Sequence, residues 1–368
     1  MKIVVFCLAT AFIVAPASAE NIDDQGWAIA VPGYHLVFPQ DHFAHYQFRT
    51  EWWYFTGNLK TADGRAFGYQ LTFFRHGYRP PRDRDPVTSR FVMNDVKFAH
   101  FAVTDVSTGK FYFDDRVSRG AFGEAGFGDG TRLAWIDDWE SDFEGDFRLK
   151  ATTKDYAIQL ILRPEKPVVL QGENGLSQKA DGQGHASYYY SITRLSTSGT
   201  VKIGDTSYAV EGGSWFDREW ATNQLTPEQS GWDWFAIQLS DGSDLMLYQM
   251  RRKDGGIDSH SGGKWIAADG STADVGAKEF QLERKKSWES PTSKTTYPVE
   301  WRLSIARLNL ELQIVPPVIN QELNLAVVYW EGCIRLMGRR AGKPVSGVGY
   351  MELTGYQEEA SGLAGSTH

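Results

Sequence analysis

Cysteine is nearly absent from this sequence. The 368 residues contain two, Cys7 and Cys333, and Cys7 lies in an N-terminal segment that we expect to be removed. The single remaining thiol cannot form an internal disulfide, so a hydrophobic core must stabilise the mature chain. The length is sufficient for such a core and predicts two domains rather than one.

The sequence also lacks the short motifs of common enzyme classes. It contains no G-x-S-x-G nucleophile elbow, no H-E-x-x-H zinc motif, no P-loop and no dinucleotide fingerprint. His42 and His45 have a spacing that would suit a metal, but such a pair without a further ligand nearby is a weak signal. We therefore expect no metal and no cofactor.

Long apolar runs are missing except at the N-terminus. Lys2 precedes an apolar stretch that is too short to span a bilayer, and the small residues Ala17–Ala19 suit a signal peptidase. This pattern predicts a signal peptide at residues 1–19, a mature chain that begins at Glu20, and a periplasmic or secreted protein. No transmembrane segment is expected after signal removal.

Basic residues are fewer than acidic residues. The formal net charge is −8 at pH 7, and removal of residues 1–19 takes away Lys2 but no acid. Binding to phosphate groups needs a concentrated basic surface. The sequence has no block of like charge, so we exclude nucleic acids as partners.

Aromatic residues and glycine are abundant instead. Aromatics make up 14% of the chain, with 13 Trp, and there are 37 Gly. Aromatic residues favour strands and glycine marks tight connections, whereas sustained helical periodicity is scarce. The pattern therefore predicts an all-β protein with strands at Glu51–Leu59, Ala66–Arg75, Lys97–Asp105, Tyr156–Leu162, Ser187–Arg194, Tyr208–Trp220, Trp234–Leu239, Leu245–Arg251, Glu300–Ile305, Leu308–Val315, Leu325–Trp330 and Val348–Leu353.

One arrangement of residues occurs twice, with an offset of about 180 residues. A Trp-rich strand, an Asp-Gly hairpin turn and a Tyr-Gln pair follow one another in both halves: Trp52–Phe55, Asp63-Gly64 and Tyr69-Gln70, then Trp232–Phe235, Asp241-Gly242 and Tyr248-Gln249. The last predicted strands of the two halves are also similar. Four residues of the first, Val210, Gly212, Trp215 and Asp217, align without gaps with four residues of the second, Val345, Gly347, Tyr350 and Glu352.

These repeats predict two consecutive β-meanders, each closing into a barrel so that no sheet edge stays exposed. We place the first domain at residues 20–222 and the second at 223–358. Residues 223–230 read as a polar linker, and residues 359–368 as a disordered tail.

The segment 211–220 is the first candidate for chemistry. Its alternating side chains put Glu211, Trp215, Asp217 and Glu219 on one face of a strand. A carboxyl group held against indole rings in a dry cavity has a raised pKa and can donate a proton near neutral pH. The alternative is an outward row of acids paired with arginines such as Arg194 or Arg251.

The first Trp-rich strand is the second candidate. His45 or Glu51 could shuttle a proton. Trp52 and Tyr54 share one face of the strand, and the other face carries Trp53, Phe55 and Leu59. One of these aromatic sets is therefore expected to line a pocket while the other packs outside. His100 and His185 fit a structural role better than a catalytic one.

Four segments resemble the AttH and CrtC family of double-lipocalin proteins: Glu51–Gly57, Gly68–Arg75, Ser214–Trp220 and Gly231–Phe235. The resemblance extends from about Tyr34 to Tyr356. It implies two consecutive lipocalin-like barrels with a pocket in or between them. The family includes carotenoid 1,2-hydratase and kievitone hydratase-like enzymes, a secreted branch described as hydrolases, and AttH-type members associated with ABC transporters.

The resemblance implies a hydrophobic isoprenoid or lipid ligand and an enzyme of hydratase or hydrolase type. In a hydratase, Asp217 would protonate a double bond, aromatic residues would stabilise the cation, and Glu219 or His45 would help water to attack. The candidate catalytic residues are Asp217, Glu219, His45 and Glu51. The candidate ligand-binding residues are Trp52, Tyr54, Trp215, Trp220, Trp234 and Tyr190.

The signal peptide departs from the carotenoid hydratases, which act where carotenoids are made, on the cytoplasmic side of membranes. It fits the secreted AttH-like branch better. The alternative function is therefore a non-catalytic periplasmic lipid-binding protein that serves an ABC transporter system.

Overall fold

The structure is a computed structural model that describes residues 21–84, 92–223 and 225–357. These residues form two antiparallel β-sheets, with short 3₁₀ turns η1 (Gln40–His42), η2 (Pro81–Asp83) and η3 (Ala306–Leu308). The prediction of an all-β protein with two lipocalin-like barrels is confirmed. The predicted signal peptide and the predicted tail at 359–368 lie outside the described residues.

The first sheet contains 13 strands. They are β1 (Thr50–Lys60), β2 (Ala66–Gly77), β3 (Asp95–Asp105), β4 (Lys110–Ser118), β5 (Ala125–Phe127), β6 (Arg132–Ile136), β7 (Trp139–Glu144), β8 (Asp146–Thr152), β9 (Tyr156–Pro164), β10 (Val169–Leu170), β11 (Leu176–Gln178), β12 (Ala186–Ile203) and β13 (Thr206–Ala221). Their order is β4-β3-β2-β1-β13-β12-β9-β8-β7-β6-β5, and β10 and β11 pair with β12.

The second sheet contains 10 strands. They are β14 (Gln229–Leu239), β15 (Asp244–Arg252), β16 (Gly262–Ile266), β17 (Thr272–Gly276), β18 (Phe280–Glu289), β19 (Thr296–Ile305), β20 (Leu310–Val315), β21 (Glu322–Asn324), β22 (Val328–Arg340) and β23 (Lys343–Leu353). Their order is β17-β16-β15-β14-β23-β22-β20-β19-β18, and β21 pairs with β22.

The repeat in the sequence appears as a shared topology. In each sheet the Trp-rich strand lies between the strand that follows it and the last strand of the sheet: β2-β1-β13 in the first and β15-β14-β23 in the second. Tyr54 pairs with Asp217 across the first of these junctions. Trp234 pairs with Glu352 at the equivalent position of the second. The two aligned acids therefore occupy matching places.

Each predicted strand overlaps an observed one, and the differences lie mainly at the ends. The predicted linker at 223–230 is shorter, because Gln229 already pairs with Arg252 in the β14–β15 ladder. Leu308 belongs to η3 rather than to β20. The predicted strand Leu325–Trp330 overlaps only the first three residues of β22, which begins at Val328 and continues to Arg340.

Each sheet curls around its own hydrophobic core. Arg116 of β4 donates to the carbonyl of Ile136 at 3.0 Å and to that of Thr152 at 3.2 Å, so the edge strand β4 lies against the far end of its sheet. In the second sheet, Arg307 donates to the carbonyl of Asp274 on the edge strand β17. Large side chains such as Trp53, Phe55, Phe216, Phe235 and Trp301 fill the two interiors.

The two sheets are also joined directly to each other. Asn58 Nδ2 of the first sheet donates to the Gly349 carbonyl of the second at 3.0 Å. Gln238 Nε2 of the second donates to the carbonyl of Ser214 at 3.0 Å. Glycine allows the close approach, since a Cβ atom on Gly68 would lie 2.7 Å from Cys333 Sγ. Among the described residues, no helix is long and apolar enough to cross a membrane.

Substitution of Gly68 tests this contact. A methyl group there collides with Cβ and Sγ of Cys333, so Gly68→Ala should lower the free energy of unfolding by about 1–3 kcal/mol. Cys333→Gly removes both atoms and should recover part of that loss in the double variant. Urea unfolding measures the coupling. Gly130→Ala, which meets open space, is the control. Strictly additive effects would contradict the contact.

Candidate active site between the two sheets

The outward faces of the two barrels meet and form a buried site. Trp53 and Phe55 of β1 point into the first barrel, whereas Trp52 and Tyr54 point away from it, as strand alternation requires. With side chains of the second sheet they form a cluster that we call the inter-sheet site. Its hydrophobic members are Tyr54, Tyr189, Trp215, Trp234, Ala236, Met246, Tyr248, Met250, Cys333 and Tyr350, with Trp52, Val106 and Trp232 packed against them.

Asp217 lies on the first-sheet wall of this site and is 3% exposed. Its Oδ1 accepts hydrogen bonds from Ser191 Oγ and from Trp215 Nε1, the latter at 2.8 Å. Its Oδ2 accepts one from the Tyr189 hydroxyl at 2.9 Å. The strand register explains this geometry, because Asp217 pairs with Ser191 on one side and with Tyr54 on the other. The carboxyl group is thus held rigidly by three donors.

The environment of Asp217 moves its pKa into the neutral range. Burial disfavours the charged carboxylate and raises the pKa to about 7, although the hydrogen bonds from Ser191, Trp215 and Tyr189 oppose the rise. The nearby charge of Glu219 adds to it. A carboxyl group with this pKa can both give and take a proton near neutral pH, as general acid–base catalysis requires.

Glu219 lies two residues further along the same face. Its Oε1 accepts a hydrogen bond from Ser187 Oγ and lies 3.3 Å from Lys179 Nζ. The Lys179 ammonium also sits 4.5 Å from the centroid of the Tyr248 ring of the second sheet. Burial lowers the pKa of Lys179, but the charge of and hydrogen bond to Glu219, together with Tyr248 and Asp217, outweigh this and the net shift is upward. Lys179 therefore stays charged and serves as the counter-ion of Glu219.

The second sheet contributes two further carboxyl groups. Glu352 accepts hydrogen bonds from Trp232 Nε1 at 2.8 Å and from Thr354 Oγ1 at 3.0 Å, and burial raises its pKa to about 7. Glu331 pairs with Glu352 across the β22–β23 ladder and is 1% exposed. Burial, together with the charge of Glu352, raises the pKa of Glu331 well above its usual range.

Aromatic rings separate these carboxyl groups. Tyr54 packs edge-on against Trp234 of the second sheet, with centroids 5.2 Å apart and an interplanar angle of 81°. Trp215 meets Trp234 at 6.4 Å and 85°. Trp234 Nε1 donates to the Tyr189 hydroxyl at 3.2 Å, which links it to the Asp217 network. Ring faces around buried acids can stabilise a carbocation that forms beside them.

The space within the closed site is small. A cleft of about 10 Å³ lies between the sheets and has room for about one water molecule. It is lined by Thr56, Gly57, Asn58, Gly213, Ser214, Trp215, Ala236, Gln238, Gly349 and Tyr350. A ligand of isoprenoid size must therefore displace side chains or move the sheets apart.

The other candidate residues lie on the opposite face of the first sheet. Glu51 is fully buried and makes ion pairs with Arg75 and Arg218, whose side chains are also fully buried. Burial would raise the pKa of Glu51, but the two guanidinium groups hold it at about 2. Arg218 stacks on Trp53, with its Cζ 3.7 Å from the ring centroid. This arrangement stabilises a permanent charge and cannot exchange a proton near neutral pH.

The histidines extend this interior network. The His45 ring stacks on Trp220 at 3.8 Å, and its Nε2 donates a hydrogen bond to Asp41 Oδ1 at 2.9 Å. His42 Nδ1 lies 2.6 Å from the Tyr190 hydroxyl. Burial lowers the pKa of both histidines. His42 and His45 have separate partners, and among the described residues no group of three or more His, Cys, Asp or Glu is placed to hold a metal ion.

The structure thus divides the candidate residues between two places. The inter-sheet site brings together Asp217, Glu219, Trp52, Tyr54, Trp215 and Trp234. The interior of the first barrel holds His45, Glu51, Trp220 and Tyr190. Trp220 does not surround Asp217 and His45 does not reach it, because Trp220, three residues further along β13, points to the opposite face of the sheet and His45 stacks on it there. Asp217 also points away from its own barrel rather than into it.

Several residues of the inter-sheet site were not predicted as site residues, among them Lys179, Tyr189, Glu331 and Glu352. Glu352 was recognisable from its alignment with Asp217 in the repeat. Glu331 follows from alternation, since Tyr329, Glu331 and Cys333 share a face of β22. Lys179 lies in an irregular segment after β11, where no periodic pattern indicates its direction.

Comparisons with known proteins agree with this fold. The AttH-like family model matches residues 29–356. The structure of an AttH protein from Nitrosomonas europaea is similar, with 38% sequence identity, a TM-score of 0.81 and coverage of 90% of this chain and 100% of that one. No curated protein sequence matches the chain.

Two more distant structures share the fold. Kievitone hydratase from Nectria haematococca has a TM-score of 0.67 at 16% identity and covers 91% of this chain and 96% of its own. CghA has a TM-score of 0.54 at 13% identity and covers 92% of this chain and 98% of its own. At these identities the likeness is one of architecture.

Substitution of Glu51 tests the interior network. Glu51→Gln leaves two buried guanidinium groups without their counter-ion and should lower the free energy of unfolding by about 3–5 kcal/mol at pH 7. The pKa of Glu51 is about 2 in the folded protein, below the usual 4.5. The wild-type protein therefore loses the stabilisation by ionised Glu51 as the pH falls from about 4.5 to 2, and the difference in unfolding free energy between wild type and variant becomes smaller. Urea unfolding at several pH values measures it.

Glu311→Gln is the control for this experiment, because Glu311 forms an exposed pair with Arg302. We expect a change of less than about 0.5 kcal/mol. Equal effects of the two substitutions at pH 7 would contradict the stabilising role assigned to Glu51.

Proposed function

The chain belongs to the AttH-like family, and on that premise we propose that it adds water to a hydrophobic alkene bound at the inter-sheet site. A hydratase shares the architecture of this chain, which supports hydration over hydrolysis. The ligand that we propose is an isoprenoid or a related lipid. We also propose that the protein acts in the periplasm or after secretion, as the signal sequence at residues 1–19 predicts.

The proposal rests on the buried carboxyl group of Asp217. Hydration requires a proton to reach one alkene carbon and a second proton to leave the attacking water. A buried carboxyl group with a pKa of about 7 is suited to proton exchange at neutral pH. Ser191, Trp215 and Tyr189 fix its orientation, so little reorganisation is needed during the reaction.

The aromatic walls support the same chemistry. Protonation of an alkene leaves a carbocation, and the π faces of Trp and Tyr rings attract positive charge. Tyr54, Trp215 and Trp234 surround the position beside Asp217. A dry aromatic site also limits premature quenching of the cation by bulk water.

The charges at the site favour a neutral ligand. Asp217, Glu219, Glu331 and Glu352 all lie there, and Lys179 is already paired with Glu219. A carboxylate or diphosphate on the ligand would be repelled by any of these acids that is ionised. We therefore propose an uncharged alkene rather than a fatty acid or an isoprenoid diphosphate.

Labelled water tests the proposal. Purified protein is incubated in oxygen-18 water with geraniol, farnesol and a prenylated phenol, and the products are analysed by mass spectrometry. We expect one molecule of labelled water to be added to at least one of these alkenes. Asp217→Asn should lower kcat by about 10²–10⁴-fold, the usual contribution of a general acid or base.

Asp233→Asn is the matched control. Asp233 is a buried carboxyl group on β14 that pairs with Arg251 and Tyr356, away from the inter-sheet site. Its substitution should leave kcat within about threefold once folding is verified. Unchanged turnover in Asp217→Asn would contradict the proposal. Stoichiometric binding of unaltered alkene would instead indicate the carrier function, in which the protein serves an ABC transporter without chemistry.

A further inference from the structure

Glu331 is placed by the second sheet directly opposite the first. Its neighbours on the same face of β22 both contact the first sheet: the Tyr329 hydroxyl lies 2.8 Å from His100 Nδ1, and Cys333 lies against Gly68. Strand alternation therefore aims Glu331 at the first sheet between them. The Tyr54 and Tyr329 hydroxyls face its carboxyl group and oppose the rise in its pKa.

Glu331 differs from the other acids of the site in its hydrogen bonds. Within the part of the chain that the structure describes, neither Glu331 Oε1 nor the Tyr54 hydroxyl has a hydrogen-bond partner of acceptable geometry, although both are buried. Asp217 accepts three hydrogen bonds and Glu352 accepts two. The Tyr54 and Tyr329 hydroxyls do not offset the cost of burial and the nearby charge of Glu352, so Glu331 is held in its neutral, protonated form.

Hydration needs one proton to be donated to the alkene and one to be taken from water. The different hydrogen bonding of Glu331 and Asp217 assigns these two transfers to different carboxyl groups. The donors around Asp217 favour its charged form, which is the form that accepts a proton. The protonated Glu331 faces the first sheet with an Oε1 that has no hydrogen bond among the described residues, so it can donate a proton to a ligand bound there. We infer that Glu331 is the general acid that protonates the alkene and that Asp217 is the general base that activates water, a division of roles that rests on the proposed hydration.

The steps balance as follows. The O–H bond of Glu331 breaks as its proton forms a C–H bond with one alkene carbon, and the π electrons of the double bond supply that bond. The adjacent carbon becomes a cation, the oxygen of water bonds to it, and the proton released by that water goes to Asp217. Transfer of this proton back to Glu331 resets the site, and the product is the alcohol formed from alkene and water.

Tyr54 is positioned for that return transfer. It is the cross-strand neighbour of Asp217, and its hydroxyl faces Glu331 from the first sheet. Since the hydroxyl faces Glu331 but makes no well-aligned hydrogen bond to the described residues, it can accept a proton on one side while it donates on the other. Tyr54 is a positioning residue in this scheme and Glu331 a catalytic one.

Glu331→Gln is the decisive variant, with Glu322→Gln as its matched control. Glu322 is also a buried glutamate next to β22, but its carboxyl group binds Ser290, Ser293 and Tyr297. The infrared difference spectrum of wild type minus Glu331→Gln at pH 7 should contain the carbonyl band of one protonated carboxylic acid, because Asp217 and Glu352 contribute to both proteins and cancel. Its kcat for hydration of the prenylated phenol should fall at least about 100-fold with little change in KM, while Glu322→Gln keeps wild-type turnover.

Deuterium exchange separates the two roles. In heavy water, Asp217→Asn should still exchange a vinylic hydrogen of the alkene for deuterium, because protonation by Glu331 is reversible, but it should form little alcohol. Glu331→Gln should lose both exchange and hydration. If Glu331→Gln does not fold, Glu331→Asp keeps the acid at a shorter reach and should retain the protonated band with reduced kcat.

The outcomes distinguish this inference from the proposed function. Wild-type turnover in Glu331→Gln, or a wild-type-minus-variant difference spectrum without a protonated-carboxyl band, overturns the assignment of Glu331 and leaves hydration by Asp217 intact. A wild-type protein that hydrates none of the three alkenes overturns both the hydration and the donor role. In that case, loss of the band in Glu331→Gln still shows that Glu331 is protonated.

Discussion

The packing of one barrel's outward face against the other barrel's outward face is the constraint on which the rest of this structure depends. The outward face of a barrel normally contacts water. In this protein the two outward faces are buried against each other, together with the carboxyl groups that they carry. Burial raises the pKa of Asp217 and Glu352 to about 7. The folded protein therefore loses stability as the pH rises from the usual carboxyl range toward 7, because the unfolded chain ionises first. The protein retains acids that destabilise it, which is typical of functional sites.

The internal repeat explains why acids face each other across this contact. Tyr54 and Asp217 in the first sheet correspond to Trp234 and Glu352 in the second, and both pairs are cross-strand neighbours. The two halves have diverged around this shared arrangement. Asp217 is surrounded by donors, whereas the second sheet adds Glu331, whose Oε1 lacks one among the described residues. The repeat thus supplies Asp217 and Glu352 with similar pKa values of about 7, and Glu331 adds a carboxyl group with a higher pKa to the same site.

Part of this site was predictable from the sequence. Alternation correctly placed Trp52 and Tyr54 on one face of β1 and Trp53 and Phe55 on the other, and it grouped Trp215 with Asp217. It could not show which face meets a second sheet, because that depends on contacts between residues far apart in the chain. For the same reason His45 and Glu51 were associated with Asp217, although they lie behind the sheet in a network with Arg218. Glu331 was missed because the predicted strand ended one residue before it.

A crystal structure of the protein with bound farnesol tests the central claim most directly. The account predicts that the ligand lies between the two sheets, with its double bond flanked by Asp217 on one side and Glu331 on the other, and with the rings of Tyr54 and Trp234 moved aside. Farnesol bound inside either barrel, or on the outer surface away from these carboxyl groups, would contradict the claim that the inter-sheet site is the active site.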